Sequence, residues 1–146
     1  MSGKTKSLEQ GIRTLNDLAH RLDPTRPSTS AQVMMCGISS PMNRITDLQG
    51  YNLYFGWYVQ TYHAIDQWLD QFHKAYPEIK LCLSEYGAEG IIKYQAEQGV
   101  QGDYSESYQA RSMSTMPGQS PNGSGSGAAM YGICSILALP TATRAA

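Results

Sequence analysis

The chain alternates helix-like and strand-like segments, and this alternation limits its possible folds more than any other feature. Apolar residues recur at helical spacing over residues 7–22 and 61–76, and a proline closely follows each stretch. Short apolar runs at residues 29–35, 48–54 and 79–83 have the length and composition of strands. Helices alternating with strands are typical of βα units around a mainly parallel sheet. The predicted fold class is therefore α/β.

The carboxyl end of the last predicted strand carries a candidate functional residue. Glu85 follows the apolar run at residues 79–83, and in parallel sheets functional groups gather where the strands end. A carboxylate there would be held by a rigid element at the mouth of the sheet. An exposed loop glutamate without function is the alternative that position alone leaves open.

A second candidate stretch, residues 50–58, follows the middle predicted strand, and five of its nine residues are aromatic. Aromatic faces stack on sugar rings, while amides and phenols form directional hydrogen bonds with hydroxyl groups. Tyr51, Phe55 and Trp57 are equally suited to filling a core. Asn52 and Tyr54 are harder to explain as core residues, so this stretch favours a sugar-binding role.

Charge and composition exclude several functional classes. The net charge is −1, which gives no basic field for a nucleic acid or an anionic membrane, so we expect neither partner. The cysteines at 36, 82 and 134 lack metal-ligand or disulfide spacing, and we interpret them as reduced core residues. Residues 1–10 are polar without a following apolar run, which argues against a signal peptide and predicts a cytoplasmic protein.

Residues 112–146 differ from the rest of the chain. Arg144 is the single charged residue among them, and glycine, serine, proline and alanine dominate. The apolar part, residues 128–140, is too short to cross a bilayer, which needs about 20 residues. We therefore divide the chain into a folded part, residues 1–111, and a low-complexity tail, residues 112–146.

Three motifs in order carry a resemblance to a known family. They are residues 22–27, residues 52–58 with Asn52, Tyr54 and Tyr58, and residues 84–89 around Glu85. Together they resemble the later part of the catalytic domain of glycoside hydrolase family 2, which includes β-galactosidases and β-glucuronidases. The resemblance runs from about residue 7 to residue 111, and the order of three motifs makes it specific.

The resemblance implies a fold and a set of site residues. The family's catalytic domain is a (β/α)8 TIM barrel, whose nucleophile lies in a Glu-Tyr-Gly motif at the end of the seventh strand; that position is Glu85. It implies that Tyr54 orients the nucleophile, that Asn52 lies near the sugar and that Tyr58 belongs to the pocket. Trp57 is a further candidate for contact with the sugar.

The resemblance also implies that the chain is incomplete. The family's acid/base glutamate lies in an Asn-Glu motif after the fourth strand, and no such pair occurs in these 146 residues. A TIM barrel needs about 250 residues, so we expect a partial barrel of about strands five to seven. Its open edges would favour self-association or pairing with the missing barrel half. No cofactor can be identified from the residues; Mg²⁺ or Na⁺ is implied by the family alone.

The predicted function is that of a retaining glycosidase fragment acting on a β-glycoside, with terminal β-galactosides as the expected substrate class. β-Glucuronidase or β-mannosidase activity of the same family stays open, as does a catalytically silent fragment without the acid/base. For the tail, a shifted reading frame of residues 130–136 can encode a family-like eighth strand. A frame shift near Arg111 and a genuine linker are therefore both kept as hypotheses.

Overall fold

The computed structural model describes residues 3–115, with side chains from residue 6 onward. Two short 3-10 helices, Met34–Cys36 and Pro41–Arg44, lie between the first two strands. The strands and α-helices follow the chain in this order: α1 (Gly3–Leu22), β1 (Thr29–Val33), β2 (Leu48–Leu53), α2 (Ala64–Ala75), β3 (Lys80–Tyr86) and α3 (Glu106–Ser114).

The three strands form a parallel sheet in the order β1-β2-β3. Helix α2 connects β2 to β3 and covers one face of this sheet, as the helical spacing of its apolar residues requires. The core cluster combines β2 and the residues after it with α2 and β3; its buried members are Tyr51, Leu53, Phe55, Ile65, Leu69, Phe72, Leu81 and Leu83. The predicted mixed α/β fold with a parallel sheet is thus confirmed.

Strand β3 is longer than the sequence predicts. The apolar run ends at Leu83, but the strand continues to Tyr86 because Glu85 and Tyr86 are also paired with β2. Glu85 therefore lies on the strand itself instead of in the loop after it. A side chain on a paired strand has less backbone freedom than one on a loop, which suits a residue that must be held in one place.

A β-bulge in β3 determines which face of the sheet Glu85 occupies. Tyr51 pairs with Leu83, but the next residue, Asn52, pairs with Glu85, so Ser84 is extra. In a regular register Glu85 would align with Leu53, whose side chain lies in the core. The bulge shifts Glu85 to the face opposite α2 and aligns Tyr86 with Leu53. Tyr86 packs against the core accordingly.

Helix α1 begins at Gly3, earlier than predicted, and buries little of its apolar face. Leu15 is 67% exposed and Leu22 is 77% exposed. Polar groups attach the helix instead: the Ser28 hydroxyl donates a 2.6 Å hydrogen bond to the Asn16 side chain, and His20 Nε2 lies 2.9 Å from a carboxylate oxygen of Asp47. No helix among the described residues is long and apolar enough to cross a membrane.

Helix α3 crosses the predicted boundary of the folded part. Ser105 caps the helix by accepting a hydrogen bond from the backbone N–H of Tyr108, and the helix continues through Ser114 with Ser112 buried. The folded part thus extends a few residues past Arg111, because Ser112 packs inside it. Residues 116–146, which hold most of the predicted tail and Cys134, lie outside the described residues.

One cysteine prediction needs correction. Cys82 is buried within β3, as expected of a core residue, but Cys36 is only partly buried. Cys36 ends a 3-10 helix at the point where Gly37 turns the chain with a φ of +69°. A residue at such a turn lies at the edge of the core, which explains its exposure.

Candidate active site

Tyr54 and Glu85 meet at the carboxyl ends of two neighbouring parallel strands. The Tyr54 hydroxyl donates a hydrogen bond to Glu85 Oε2, and Glu85 is exposed on the side away from the core. Burial, followed by the hydrogen bond to Glu85, raises the pKa of the Tyr54 phenol well above its ordinary value. The phenol therefore stays protonated as a donor, and Glu85 has a fixed partner for its carboxylate form. The structure brings together the two predicted catalytic residues.

A tight turn over residues 54–58 places Tyr54. The backbone N–H groups of Trp57 and Tyr58 donate to the Tyr54 carbonyl at 3.1 and 3.2 Å. Gly56 adopts a φ of +79°, and a Cβ there would come within 2.8 Å of the Tyr62 backbone nitrogen. Only glycine fits this position, so the turn that carries the candidate tyrosine depends on it.

Asn52 lies beside Glu85, as its strand pairing requires. It aligns with Glu85 across β2 and β3, and its side-chain oxygen accepts a 2.7 Å hydrogen bond from the hydroxyl of Ser84, the bulge residue. This bond leaves the Asn52 amide hydrogens as donors directed away from Ser84. Asn52 is partly exposed, so a ligand near Glu85 would find a hydrogen-bond donor there.

Trp57 does not lie where a sugar could stack on it. Its ring is 7% exposed and packs edge-to-face against Tyr104 at 4.9 Å, with Tyr108 tilted beside it at 6.2 Å. The predicted sugar contact for Trp57 is therefore corrected: its ring is buried against Tyr104 and Tyr108. Its aromatic character suited both roles, and only the loop over residues 99–104 decides between them.

Tyr58 is the open aromatic residue of the turn, at 64% exposure, and it pairs with a second glutamate. Its hydroxyl donates a 3.1 Å hydrogen bond to Glu89 Oε1, and its ring meets Tyr54 edge-to-face at 5.2 Å. Partial burial, followed by the bond to Glu89, raises the pKa of the Tyr58 phenol. Sequence reasoning had placed Tyr58 in the pocket without a partner. The two tyrosines and the two glutamates are each four residues apart, and this equal spacing could have indicated the second pair.

Helix α3 supports both candidate loops, and sequence reasoning missed it. The Tyr108 hydroxyl donates to the Gly56 carbonyl, and Gln109 Nε2 donates to the Ala88 carbonyl at 2.9 Å. Gln101 Nε2 adds a 3.1 Å hydrogen bond to the Trp57 carbonyl. The N-cap at Ser105, with Glu106 in the first turn, would have indicated a helix here. Its contacts depend on the tertiary fold.

Mg²⁺ or Na⁺ is implied by the family resemblance alone, and carboxylate oxygens are the protein ligands that Mg²⁺ usually takes. Within residues 6–115, no three histidine, cysteine, aspartate or glutamate side chains come together as a metal site would require. None of the described residues is therefore assigned as a metal ligand.

The chain was compared with known proteins. It is 40% identical over 86 residues to a β-glucuronidase of Bacteroides fragilis. The aligned stretch is 59% of this chain and 12% of that protein. Two crystal structures superpose with a TM-score of 0.69. One, an FMN-binding β-glucuronidase from Facaelibacterium prausnitzii L2-6, is 44% identical and covers 77% of this chain and 17% of its own. The other is a putative β-galactosidase from Bacteroides fragilis, 33% identical, with coverages of 76% and 17%.

Each of these matches covers only a small part of the similar protein. The chain spans 12% of the length of its curated relative and 17% of each of the two solved structures. No protein-family model matches the chain. Two of these proteins are named β-glucuronidases and one is named a putative β-galactosidase, and this chain matches one segment of each.

Proposed function

We propose that this chain carries the nucleophile side of a retaining glycosidase site like that of glycoside hydrolase family 2, because it matches one segment of larger β-glucuronidases and of a putative β-galactosidase. The observation that carries the proposal is the Tyr54 hydrogen bond to Glu85 at neighbouring strand ends. Paired, polar strand ends are where parallel α/β enzymes place their catalytic groups. Glu85 is the nucleophile and Tyr54 is its orienting donor.

The chemistry accounts for both residue types. A retaining glycosidase attacks the anomeric carbon with one carboxylate, and a second carboxyl group about 5 Å away protonates the leaving oxygen. Glu85 attacks in its ionised form, which accepts the Tyr54 hydrogen bond. The Tyr54 bond holds one carboxylate oxygen and thereby leaves the other, Oε1, to form the bond to the sugar. Asn52 supplies a donor for a hydroxyl of the sugar, and Tyr58 forms one wall of the site.

The proposal extends to the architecture. The parallel strands β1, β2 and β3 correspond to about strands five to seven of a TIM barrel, as the family relationship implies. Strands β1 and β3 are the outer strands of the described sheet, and each has one edge without a strand partner there. Unpaired edges bind other strands readily. The partner surface is therefore the missing barrel half or, without it, a second copy of this chain.

The substrate class is a β-glycoside, and a β-glucuronide is our first choice of sugar. Two of the three similar proteins reported above are named β-glucuronidases and one is named a putative β-galactosidase. The β-galactoside expected from the sequence thus has support from one neighbour. The alternative of a catalytically silent fragment is distinguished by the following experiment.

The test uses a substrate that needs no acid catalyst. A 2-deoxy-2-fluoro-β-glycoside with a 2,4-dinitrophenyl leaving group reacts as follows: a Glu85 oxygen bonds to C1, the C1–O bond breaks, and dinitrophenolate leaves with the electron pair. No proton is required, because the leaving group is a weak base. The fluorine slows hydrolysis by destabilising the positively charged transition state. The full chain would be incubated separately with the glucuronide and the galactoside, and intact and peptide masses measured.

We expect one sugar on the peptide that contains Glu85, faster with the glucuronide. Glu85→Gln should abolish the labelling, while Glu97→Gln, an exposed glutamate of the loop before α3, should label as the unmodified chain does. Labelling by the galactoside alone would replace the substrate assignment. Absence of labelling by either sugar, in a chain whose circular dichroism is that of a folded α/β protein, would establish the silent alternative.

A further inference from the structure

Two tyrosine–glutamate pairs lie side by side at the candidate site. Tyr54 donates to Glu85, and Tyr58 donates to Glu89 at 3.1 Å. Both pairs join the same two segments of chain, with a separation of 31 residues in each case. The tyrosine rings touch edge-to-face, with their centroids 5.2 Å apart at 69°. The Tyr54–Glu85 pair belongs to the proposed nucleophile, whereas that chemistry does not account for the Tyr58–Glu89 pair.

A contribution to stability does not explain the second pair. Tyr58 is 64% exposed and Glu89 is exposed as well, so their hydrogen bond competes with water. Interactions of this kind contribute little to folding. The geometry, in contrast, is specific: the backbone N–H of Tyr58 donates to the Tyr54 carbonyl while its ring rests against the Tyr54 ring. Tyr58 therefore contacts Tyr54 through both its backbone and its ring.

The loop that carries Glu89 is itself fixed, so Glu89 can act as an anchor. Gln109 Nε2 of α3 donates to the carbonyl of Ala88, and Gly90 lies so close to Gln109 that a Cβ there would come within 2.5 Å of its side-chain oxygen. Glu89 thus lies between two residues that pack against α3. The Glu89 charge also contributes to the raised pKa of the Tyr54 phenol, although less than burial and Glu85 do.

We infer that Glu89 is a positioning residue for the nucleophile, an inference that rests on the proposed function of Glu85. Glu89 accepts the Tyr58 hydrogen bond and holds that ring against the edge of Tyr54. Tyr54 is then confined to the orientation in which its hydroxyl reaches Glu85. Glu89 acts through Tyr58 and Tyr54 and takes no part in bond making, so its carboxylate is a support and not a second catalytic acid.

The decisive experiment measures the contact between the two rings in the full chain at neutral pH. Ring-current shifts of the Tyr54 and Tyr58 ring protons, recorded by NMR with selectively labelled tyrosine, report how the two rings face each other. Glu89→Ala, which leaves no side-chain acceptor for Tyr58, and Tyr58→Phe should both move the Tyr54 resonances toward those of a free tyrosine. The double variant should do no more than either single variant, since both break the same bond. Glu97→Ala and Tyr94→Phe are the matched controls.

The same variants should slow the covalent labelling of Glu85 about threefold to tenfold at saturating reagent, the size expected for the net loss of one exposed hydrogen bond. In Glu89→Ala the reagent concentration for half-maximal labelling should stay the same, because the inferred role of Glu89 is to hold Tyr58 and not to contact the sugar. Tyr54 resonances that are identical in Glu89→Ala and Glu97→Ala would overturn the inference. Failure of the unmodified chain to be labelled would instead count against the proposed function, since the ring contact is measured without substrate.

Discussion

Helices α1 and α2 are both amphipathic, yet they use their apolar faces in opposite ways. In α2, Ile65 is fully buried and Phe72 is 1% exposed, both against the strands β2 and β3. In α1, Leu15 and Leu22 are mostly exposed, and the helix is attached through Asn16 and His20. The same kind of sequence pattern therefore leads to a core in one helix and to an open face in the other.

The difference shows what an amphipathic pattern specifies. The pattern fixes which face of a helix avoids water, but a second surface must be present to cover that face. Helix α2 has such a surface because it connects two paired strands. For α1, the described residues offer none of comparable size. The apolar face of α1 therefore stays in contact with water.

The largest test of this comparison is Phe72→Ala in α2. It removes a buried ring from the core and should lower the free energy of unfolding by about 3–5 kcal/mol, because the cavity cannot refill completely. Urea unfolding followed by circular dichroism measures this loss. Leu15→Ala in α1 is the matched control, with an expected change within about 0.5 kcal/mol. Equal losses in the two variants would show that α1 is packed as well as α2.

A smaller effect should come from the polar attachment of α1. Asp47 accepts a 2.7 Å hydrogen bond from the Ser28 backbone N–H, and this bond, more than the His20 contact, lowers the pKa of the Asp47 carboxyl below 3.8. Asp47→Asn should cost at most about 1 kcal/mol at neutral pH, since the group is largely exposed.

The pH dependence of this effect has a definite sign. A folded-state pKa below the unfolded one gives stability that is present above the unfolded value and lost as the pH falls through the folded value. The difference in the free energy of unfolding between Asp47→Asn and the unmodified chain should therefore become smaller below about pH 4. Urea midpoints at pH 7 and pH 3 test it. A difference that grows toward acid pH would contradict the assignment.

The smallest expected change in stability is that of Leu15→Lys combined with Leu22→Lys on the open face of α1. Both side chains are exposed, so the free energy of unfolding should change by no more than about 0.5 kcal/mol per site. Self-association should decrease, because an apolar patch is replaced by charge. Sedimentation velocity over a range of concentrations measures this. Unchanged association would place the contact elsewhere, with the edges of β1 and β3 as the next surface.

Sequence reasoning succeeded where a residue's role depends on local pattern. The periodicity of α2, the apolar runs of β2 and β3, and the resemblance that placed Tyr54 opposite Glu85 all lie within short stretches of chain. It was less successful with Trp57, because a tryptophan suits both a core and a sugar platform. It also missed α3, whose contacts to Gly56 and Ala88 bridge distant segments.

By itself, the sequence determined the α/β order, the face that α2 buries, and the residue types of the proposed nucleophile and its phenol donor. Local spacing and chemistry are sufficient for these properties. The tertiary structure alone decided that a bulge at Ser84 shifts Glu85 away from the core, that Tyr58 pairs with Glu89, and that α1 keeps its leucines in water. Each of these depends on which segments lie side by side, and the pairing of segments distant in sequence is set by the packing of the whole domain.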